Sequence, residues 1–532
     1  MRLFTTIAGL RCYLARYRNA ADVGLVPTMG ALHAGHLSLI ERARQENALV
    51  IVSIFVNPLQ FAPTEDLQRY PRQLEQDRQQ CERLGVDVIF APTEIELYGT
   101  PVSNSQTGVG LTQVVPPVTM TSVLCGRTRE GHFQGVATVV TKLLNLIQPK
   151  RAYFGQKDAQ QLAIIRRIVA DLNLPVTIVA CPIVREESGL ALSSRNQYLT
   201  PLQKAKAPIL FHALQQAQML FQSGEPEHMS LIDAAKSELA KVSELQVEYV
   251  ELVHPTTLTP LEQVDDCGLL AIAARLGTTR LIDNVLLQNR KPIVAIDGPA
   301  GAGKSTVARK VAQALGLIHL DTGAMYRAVT WRVMAAGIDL DDEPAIAELV
   351  SQSEICLAPD EQGGTRLRVW IDGEDVTQAI RSLEVTANVS AIAAQPAVRQ
   401  ELVKQQQRWG CKGGIVVEGR DIGTYVFPDA ELKIFLTASV EERARRRQQD
   451  LKDQELPGVS LEQLERDIQQ RDIRDSTRTL APLRKAVDAI EVVTDGLSIA
   501  QVTERIVSLY HERVSEPFTT LGARGQESGV RG

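Results

Sequence analysis

Gly298-Pro299-Ala300-Gly301-Ala302-Gly303-Lys304-Ser305 stands between the apolar run Ile293–Ile296 and the helical run Thr306–Leu315. The spacing G-x-x-x-x-G-K-[ST] between a strand and a helix reads as a phosphate-cradling loop. Glycines let the backbone curl so that its N–H groups face phosphate oxygens, and the helix N-terminus adds partial positive charge. Gly298, Gly301 and Gly303 shape the loop, and Thr306 belongs to the same nucleotide site. Lys304 is expected to reach the β- and γ-phosphates of ATP, and the Ser305 hydroxyl to ligate Mg²⁺. A chance glycine-rich turn would have no reason to carry both flanks. The motif alone leaves kinase, GTPase and motor open.

Upstream, Val23–Thr28 reads as a buried strand, followed by a glycine-rich turn and a helix. Leu49–Val56, a helix over 66–84, Val86–Phe90, Arg151–Phe154, a helix over 157–172 and Val176–Val184 continue the alternation. Strands of this apolar kind alternating with helices imply a parallel sheet covered on both faces. Helical patterns over 202–222 and 230–242 and strand-like Val247–Leu252 and Leu269–Asp283 read as a smaller, separate α+β subdomain. After the polar junction Asn289-Arg290-Lys291-Pro292 a second α/β unit begins. The expected layout is a Rossmann-like domain over 1–184, a small subdomain over 185–288, a P-loop α/β domain over 289–514 and a fraying tail over 515–532. The fold class is α/β throughout.

The 532 residues are 44% apolar, with 57 basic against 63 acidic side chains and a net charge of −6. That balance exerts no general pull toward nucleic acid or an anionic membrane, and 5% aromatic content argues against a base-stacking platform. Seven scattered cysteines without a Cys-x-x-Cys fit a reducing compartment. No signal peptide pattern opens the chain, and no apolar run is long enough to span a bilayer, so the expected location is cytoplasmic.

Charged motifs surround the phosphate loop. They are Asp321-Thr322-Gly323-Ala324-Met325-Tyr326-Arg327, Asp372-Gly373-Glu374-Asp375-Val376, Glu418-Gly419-Arg420-Asp421-Ile422-Gly423-Thr424, and Arg471-Asp472-Ile473-Arg474-Asp475 with Arg478. Together, over residues 290–512, they resemble bacterial cytidylate kinase, a family that phosphorylates CMP and dCMP from ATP. The resemblance implies that Thr322, Arg399, Arg420, Asp421, Arg471, Asp475 and Arg478 hold the acceptor nucleotide. Guanidinium forks suit phosphate, and an Asp can accept from the cytosine amino group or hold a sugar hydroxyl. Thr322 stands where other members carry Ser, and Glu418 where a shorter Asp is common. The run Glu441-Glu442-Arg443-Ala444-Arg445-Arg446-Arg447 can be a solvated helix face. By family position it is the lid. A lid is favoured because phosphoryl transfer spreads charge over oxygens that need mobile cations, Arg443 and Arg447 foremost. A nucleic-acid patch would call for interleaved aromatics.

In the first half, Pro27-Thr28-Met29-Gly30-Ala31-Leu32-His33-Ala34-Gly35-His36 joins strand to helix. Spacing of three puts His33 and His36 on one helix face, able to donate to an α-phosphate under attack. A metal pair would lack its usual carboxylate partners, and one capping plus one core histidine is the plain alternative. Phe55-Val56-Asn57-Pro58-Leu59-Gln60-Phe61, Phe154-Gly155-Gln156-Lys157-Asp158-Ala159-Gln160-Gln161 and Ala191-Leu192-Ser193-Ser194-Arg195-Asn196 complete the set. Over residues 1–285 it resembles pantothenate synthetase (pantoate–β-alanine ligase), an adenylate-forming nucleotidyltransferase. The resemblance implies two steps, through pantoyl-adenylate and then attack by the β-alanine amine, releasing diphosphate and AMP. His33, His36 and Lys157 are implied at the α- and β-phosphates, with His36 as proton donor. Met29, Gly30, Gly155, Asp158, Val184 and Leu192 would contact ATP, and Ser193, Ser194 and Arg195 would close over pyrophosphate. Gln60 and Gln161, assisted by Asn57, would bind pantoate, and Mg²⁺ would accompany ATP at both sites. Glu130 stands where many members have Pro, and Gln156 where Glu is frequent.

A ligase followed by a kinase in one chain is an arrangement associated with cyanobacteria. The ligase family is commonly dimeric through its first domain, so a homodimer is the assembly the resemblance allows. Two rivals are another nucleotidyltransferase–kinase fusion and a nucleotide-sensing regulator with one inactive half. The amides at Asn57, Gln60, Gln160 and Gln161 favour pantoate over the first, and the presence of His36, Lys157, Lys304 and Asp421 counts against the second.

Overall fold

Apolar β-branched runs bounded by glycine, proline or polar residues become the central strands of two parallel sheets. The computed structural model describes residues 1–17, 22–61, 67–101, 110–359, 367–453, 459–477 and 481–514. The expected tail over 515–532 lies outside the described residues. The chain divides into one compact unit over Met1–Asn289 and a second that begins at Arg290.

In the first unit the strands are β1 (Arg2–Phe4), β2 (Val23–Thr28), β3 (Leu49–Ile54), β4 (Val88–Phe90), β5 (Arg151–Gly155) and β6 (Thr177–Cys181). They form one sheet in the order β1-β4-β3-β2-β5-β6, with every pair parallel. Leu25, Val26, Ile51 and Val52 are fully buried because apolar clusters cover both faces. From β2 the chain crosses to β3 on one side, while β5 lies against the other. The crevice at the carboxyl ends of β2 and β5 is thus a topological switch point, where open α/β sheets bind ligands.

The antiparallel strands β7 (Leu245–Val253), β8 (Cys267–Leu276) and β9 (Thr279–Gln288) pack with helices Ile209–Gln222 and His228–Leu239. Several expectations change here. The run over 269–283 is two strands, turning at Gly277 with φ +62°. Pro208, which has no N–H to continue a ladder, divides the pattern over 202–222 into Pro201–Lys206 and Ile209–Gln222. The helix expected over 66–84 runs from Leu74 to Arg83. The subdomain is not separate, since Val253, Leu269 and Ala271 share one core cluster with Phe133 and Ile164. Helix His132–Ile147 is an element beyond those expected above. A Cβ on its Gly135 would collide with the Leu59 carbonyl, so glycine lets the helix lie directly against the turn Pro58–Gln60.

The second unit holds β10 (Lys291–Asp297), β11 (Ile318–Asp321), β12 (Ile355–Pro359), β13 (Leu367–Ile371), β14 (Glu374–Asp375), β15 (Gly413–Gly419), β16 (Leu432–Thr437) and β17 (Ile490–Val493). Its parallel sheet has the order β11-β15-β10-β16-β17, and β12-β13-β14 form a small antiparallel sheet. Apolar clusters again lie on both faces of the parallel sheet. Among the described residues no helix is long and apolar enough to cross a membrane.

Candidate active sites

At the end of β2 the Thr28 hydroxyl donates to the Ser53 carbonyl (2.8 Å) and accepts from the Gly30 amide (3.2 Å). The turn then passes through positive φ at Gly30 (+81°) and Ala31 (+52°). Asp77, fully buried on helix Leu74–Arg83, clamps it, accepting from the Ala31 and Leu32 amides at 3.0 and 2.8 Å. Burial raises the pKa of this carboxyl, and those two amides oppose the rise. Local sequence could not have revealed Asp77, because its partner loop lies more than forty residues away.

His33 is the N-cap of helix Ala34–Glu46, its Nδ1 accepting from the Gly35 amide at 3.1 Å. This corrects the expected pair on one helix face: only His36 is helical, and the plain capping reading holds for His33. The two rings still meet, with centroids 4.1 Å apart and planes at 34°. Burial, with Lys157 adding to it, pushes His33 down to about 4. Burial, with His33 adding to it, pushes His36 down to about 3. Both imidazoles are therefore neutral at pH 7. A neutral ring can still donate a hydrogen bond to a phosphate oxygen through its one N–H. The His36 Nδ1 is buried without a hydrogen-bond partner.

Neither ring should titrate between about pH 8 and about pH 5.5, where a free imidazole would. Imidazole Cε1–H shifts followed by NMR check this, and a midpoint near 6.5 for either ring would contradict it. In stability terms the unfolded chain binds protons that the folded pair refuses. Stability from this source is intact above about pH 6.5 and falls as pH drops from there toward about 3.

Around them, Gln60 Nε2 donates to Met29 Sδ at 2.9 Å, and the Gln60 carbonyl accepts from His132 Nδ1 at 2.7 Å. Asn57 is buried and fully engaged. It accepts from Tyr98 Oη (2.8 Å) and the Leu59 amide (3.3 Å), and donates to Gln60 Oε1 and the Gly135 carbonyl, both at 3.1 Å. Asn57 therefore orients Gln60 and has no amide hydrogen left over for substrate. Gln160 likewise donates inward, to the Met120 and Val123 carbonyls. Gln161, by contrast, lines a cavity of about 600 Å³ with Lys157, Asp158, Ser193, Arg195 and His132.

Gly155 ends β5, and the turn Gln156–Asp158 presents Lys157, with its Nζ 3.8 Å from Asp158 Oδ2. The Leu192 amide donates to the Val184 carbonyl at 2.9 Å, so these two expected ATP contacts meet. Ser193 Oγ accepts from the Arg195 amide at 3.3 Å, and Ser194 Oγ lies 3.4 Å from Tyr70 Oη. A Cβ at Gly35 would lie 3.8 Å from Leu192 Cβ, which places this loop beside the histidines. The cavity lining does not include Met29, His33, His36 or Gln60, and His132, bonded to the Gln60 carbonyl, links the two groups.

In the second unit the phosphate loop adopts positive φ at Gly298 (+151°), Gly301 (+79°) and Gly303 (+88°), and Gly303 caps helix Lys304–Leu315. A Cβ at Gly298 would collide with the Leu436 carbonyl. Lys304 is buried with Nζ donating to the Pro299 carbonyl at 2.7 Å. Burial first, then Arg420, lowers its pKa well below the usual lysine value, against the pull of Glu418 and Asp297. Ser305 Oγ donates to Glu418 Oε2 at 2.6 Å, and Glu418 Oε1 lies 3.0 Å from His319 Nε2. Burial alone would raise the Glu418 carboxyl, but His319, Ser305 and Lys304 hold it below the ordinary value. The longer Glu side chain thus reaches the loop serine and rests on a histidine. Thr306 is exposed at the helix start.

Thr322 uses its hydroxyl proton on the Glu418 carbonyl (2.7 Å), leaving only acceptor capacity. Arg399 and Asp421 form a buried ion pair, with the guanidinium also 5.6 Å from the Tyr326 ring centroid. Arg420 Nε meets Asp475 Oδ2 at 3.0 Å. Arg471 feels the charges of Arg420, Asp475 and Arg327, so these four lie near one another. Arg478 lies outside the described residues. Arg327 joins this group although the sequence reading does not assign it there: it faces Asp321 and Arg471 electrostatically. Its signal is present, inside the Asp321–Arg327 motif.

Arg443 departs from the mobile-lid expectation. It is buried, bidentate on Asp472 at 3.0 and 2.6 Å, and donates to the Ala300 carbonyl at 3.2 Å. Its stem packs where a Gly301 side chain would be, so it braces the phosphate loop. Arg447 is exposed, as a lid cation would be. Asp297, which no motif marks, accepts from the Ile422 and Gly423 amides, both at 2.7 Å, and burial pushes it up to about 6.

Comparison with known proteins matches each unit separately. The family model described as pantoate-beta-alanine ligase matches residues 2–286, and that described as cytidylate kinase matches residues 294–512. The chain is 63% identical to a bifunctional pantoate ligase/cytidylate kinase of Trichormus variabilis, covering 97% of this chain and 100% of that one. It is 56% identical to one of Synechocystis sp., covering 96% and 99%. Pantothenate synthetase from Thermus thermophilus, a solved structure, is 48% identical with a TM-score of 0.50, covering 54% of this chain and 99% of that one.

Proposed function

The chain belongs to the bifunctional pantoate ligase/cytidylate kinase family, and from that premise we propose how its residues divide the two reactions. It is an ATP-using pantoate–β-alanine ligase and a cytidylate kinase. The observation that carries the ligase assignment is the close, tilted, neutral pair His33 and His36 at the switch point, within the electrostatic reach of Lys157.

In the first unit, ATP lies along Met29, Gly30, Gly155, Asp158, Val184 and Leu192. Pantoate is held by Gln60 and Gln161, with Asn57 acting through Gln60. The pantoate carboxylate attacks the α-phosphate, forming the acyl-phosphate bond as the bond to diphosphate breaks. His33, His36 and Lys157 donate hydrogen bonds to the phosphate oxygens as charge builds there, and Ser193, Ser194 and Arg195 cover the leaving diphosphate. The β-alanine amine then attacks the acyl carbon, and AMP departs. Catalysis is positioning and electrostatic stabilisation, with no enzyme-bound covalent intermediate.

In the second unit, Gly298–Thr306 cradles ATP. Arg327, Arg399, Arg420, Asp421, Arg471, Asp475 and Arg478 surround CMP or dCMP, and Arg447 approaches the transferring phosphoryl group. The oxygen donors Ser305 and Glu418 fit a hard cation, because the serine gives its proton to Glu418 and keeps its lone pairs for a metal. Ser305 and Glu418 would hold Mg²⁺ bound with ATP, which would supply neutralisation of phosphate charge there. We place the enzyme in the cytoplasm, supported by seven scattered cysteines among which no Cys-x-x-Cys occurs, and as a homodimer through the first unit, which light scattering tests.

The two assignments are tested side by side on one preparation. Pantoate-dependent ATP–pyrophosphate exchange and CMP-dependent ADP formation are both expected. Exchange that proceeds without pantoate, or ADP formation equally fast with UMP, would overturn the corresponding half.

A further inference from the structure

Two adjacent residues of β9 that the reaction scheme leaves unused hold both segments that the scheme assigns to the triphosphate. Asn284 Nδ2 donates to the Gln156 and Lys157 carbonyls at 3.1 and 2.9 Å, fastening the turn that presents Lys157. Asp283 binds the Arg185 guanidinium through both oxygens, at 2.6 and 2.9 Å. Arg185 also donates to the Gly189 carbonyl at 3.0 Å, lies 4.4 Å from the Phe211 ring centroid, and pairs with Ala191 in a β-bridge. Ala191 leads straight into Leu192-Ser193-Ser194-Arg195. The Asn284 amide donates to Asp283 Oδ1 at 2.8 Å, which ties the two anchors to each other. Both residues are buried, and both line the cavity shared with Lys157 and Ser193.

Adjacent strand residues can each hold a different segment, as Asn284 holds the Gln156–Asp158 turn and Asp283 holds Arg185. A buried ion pair contributes little net stability, because desolvation offsets its attraction, whereas its geometry is specific. We propose that Asp283 and Asn284 are positioning residues that set the separation between Lys157 and the serine loop, so that the triphosphate meets both at the spacing adenylation needs. The inference rests on the reading of Lys157 and Ser193–Arg195 as triphosphate contacts.

The test uses the full chain, with CMP kinase activity measuring the amount of active protein. Asn284→Ala is expected to lower kcat for pantoate-dependent ATP–pyrophosphate exchange by about ten- to a hundredfold, the usual effect of slight misplacement. KM for pantoate should stay within about twofold. Asp283→Asn, which conserves volume, should raise KM for ATP and lower kcat. In a Lys157→Ala background the Asn284→Ala loss should largely disappear, because the residue acts through that lysine. Should Asn284→Ala not fold, Asn284→Ser, which keeps one donor, should lose less than Asp283→Asn does. Unchanged kcat in both single variants would overturn the inference, as would a loss that simply adds to that of Lys157→Ala. A Lys157→Ala enzyme with full exchange activity would instead overturn the underlying reading of the site.

Discussion

Lys304→Met will lower the rate of CMP phosphorylation by about three orders of magnitude while pantoate-dependent exchange stays within about twofold. Methionine keeps the buried stem and removes the charge together with the hydrogen bond to the Pro299 carbonyl, so packing under the loop is largely conserved. The interactions lost are those to the transferring phosphate, because within the protein Nζ donates to no more than the Pro299 carbonyl among the described residues. Burial, with Arg420 adding to it, lowers the pKa of Lys304, so this pocket disfavours an uncompensated cation. A triphosphate supplies the compensation, and the lysine then delivers its charge where phosphoryl transfer develops it. Ligase turnover serves as the internal control, since Lys304 belongs to a unit with its own sheet and its own core. Initial rates of ADP formation at saturating CMP decide the matter. A loss smaller than about tenfold would mean that the loop binds nucleotide without driving transfer.

What could be read in the sequence was local. The phosphate loop, the strands β2, β3 and β5 and the motifs at their ends are contiguous stretches whose periodicity and glycine spacing carry their own meaning. What could not be read was whatever depends on partners distant in the chain. Asp77 clamps a turn more than forty residues before it, and Asn284 holds a turn 127 residues before it. Asp297 fastens Ile422 and Gly423 from the end of another strand. None of these residues differs, in sequence, from an ordinary surface or strand-end polar group. Asn57 shows the converse. Its motif marked it as a substrate contact, and only the four hydrogen bonds around it reveal an orienting role. Arg443 likewise lies in a run that reads as a mobile lid, yet Asp472 and the Ala300 carbonyl turn it into a brace.

His36→Ala is expected to cut ligase turnover by several hundredfold or more, equivalent to about 3–4 kcal/mol of barrier, the cost of deleting one preorganised donor. The structure supplies the reason the effect should be this large. The imidazole is half-buried with its Nδ1 out of solvent, neutral, and 4.1 Å from the His33 ring, so it is largely oriented before substrate arrives. A donor so placed needs no reorganisation as charge accumulates on the α-phosphate. Water entering the vacated space would have to be ordered in its stead. Alanine is acceptable in the first turn of a helix, and the N-cap hydrogen bond belongs to His33, so the helix itself should persist. Turnover should therefore fall much more than KM for ATP rises. Because the ring is neutral in the folded protein, the wild-type rate should show no imidazole titration near pH 6.5, and the variant's pH profile should run parallel to it. CMP kinase activity, measured on the same sample, should remain normal. Equal loss of both activities would point to unfolding, and a parallel rise in KM with unchanged kcat would assign His36 to ground-state binding alone.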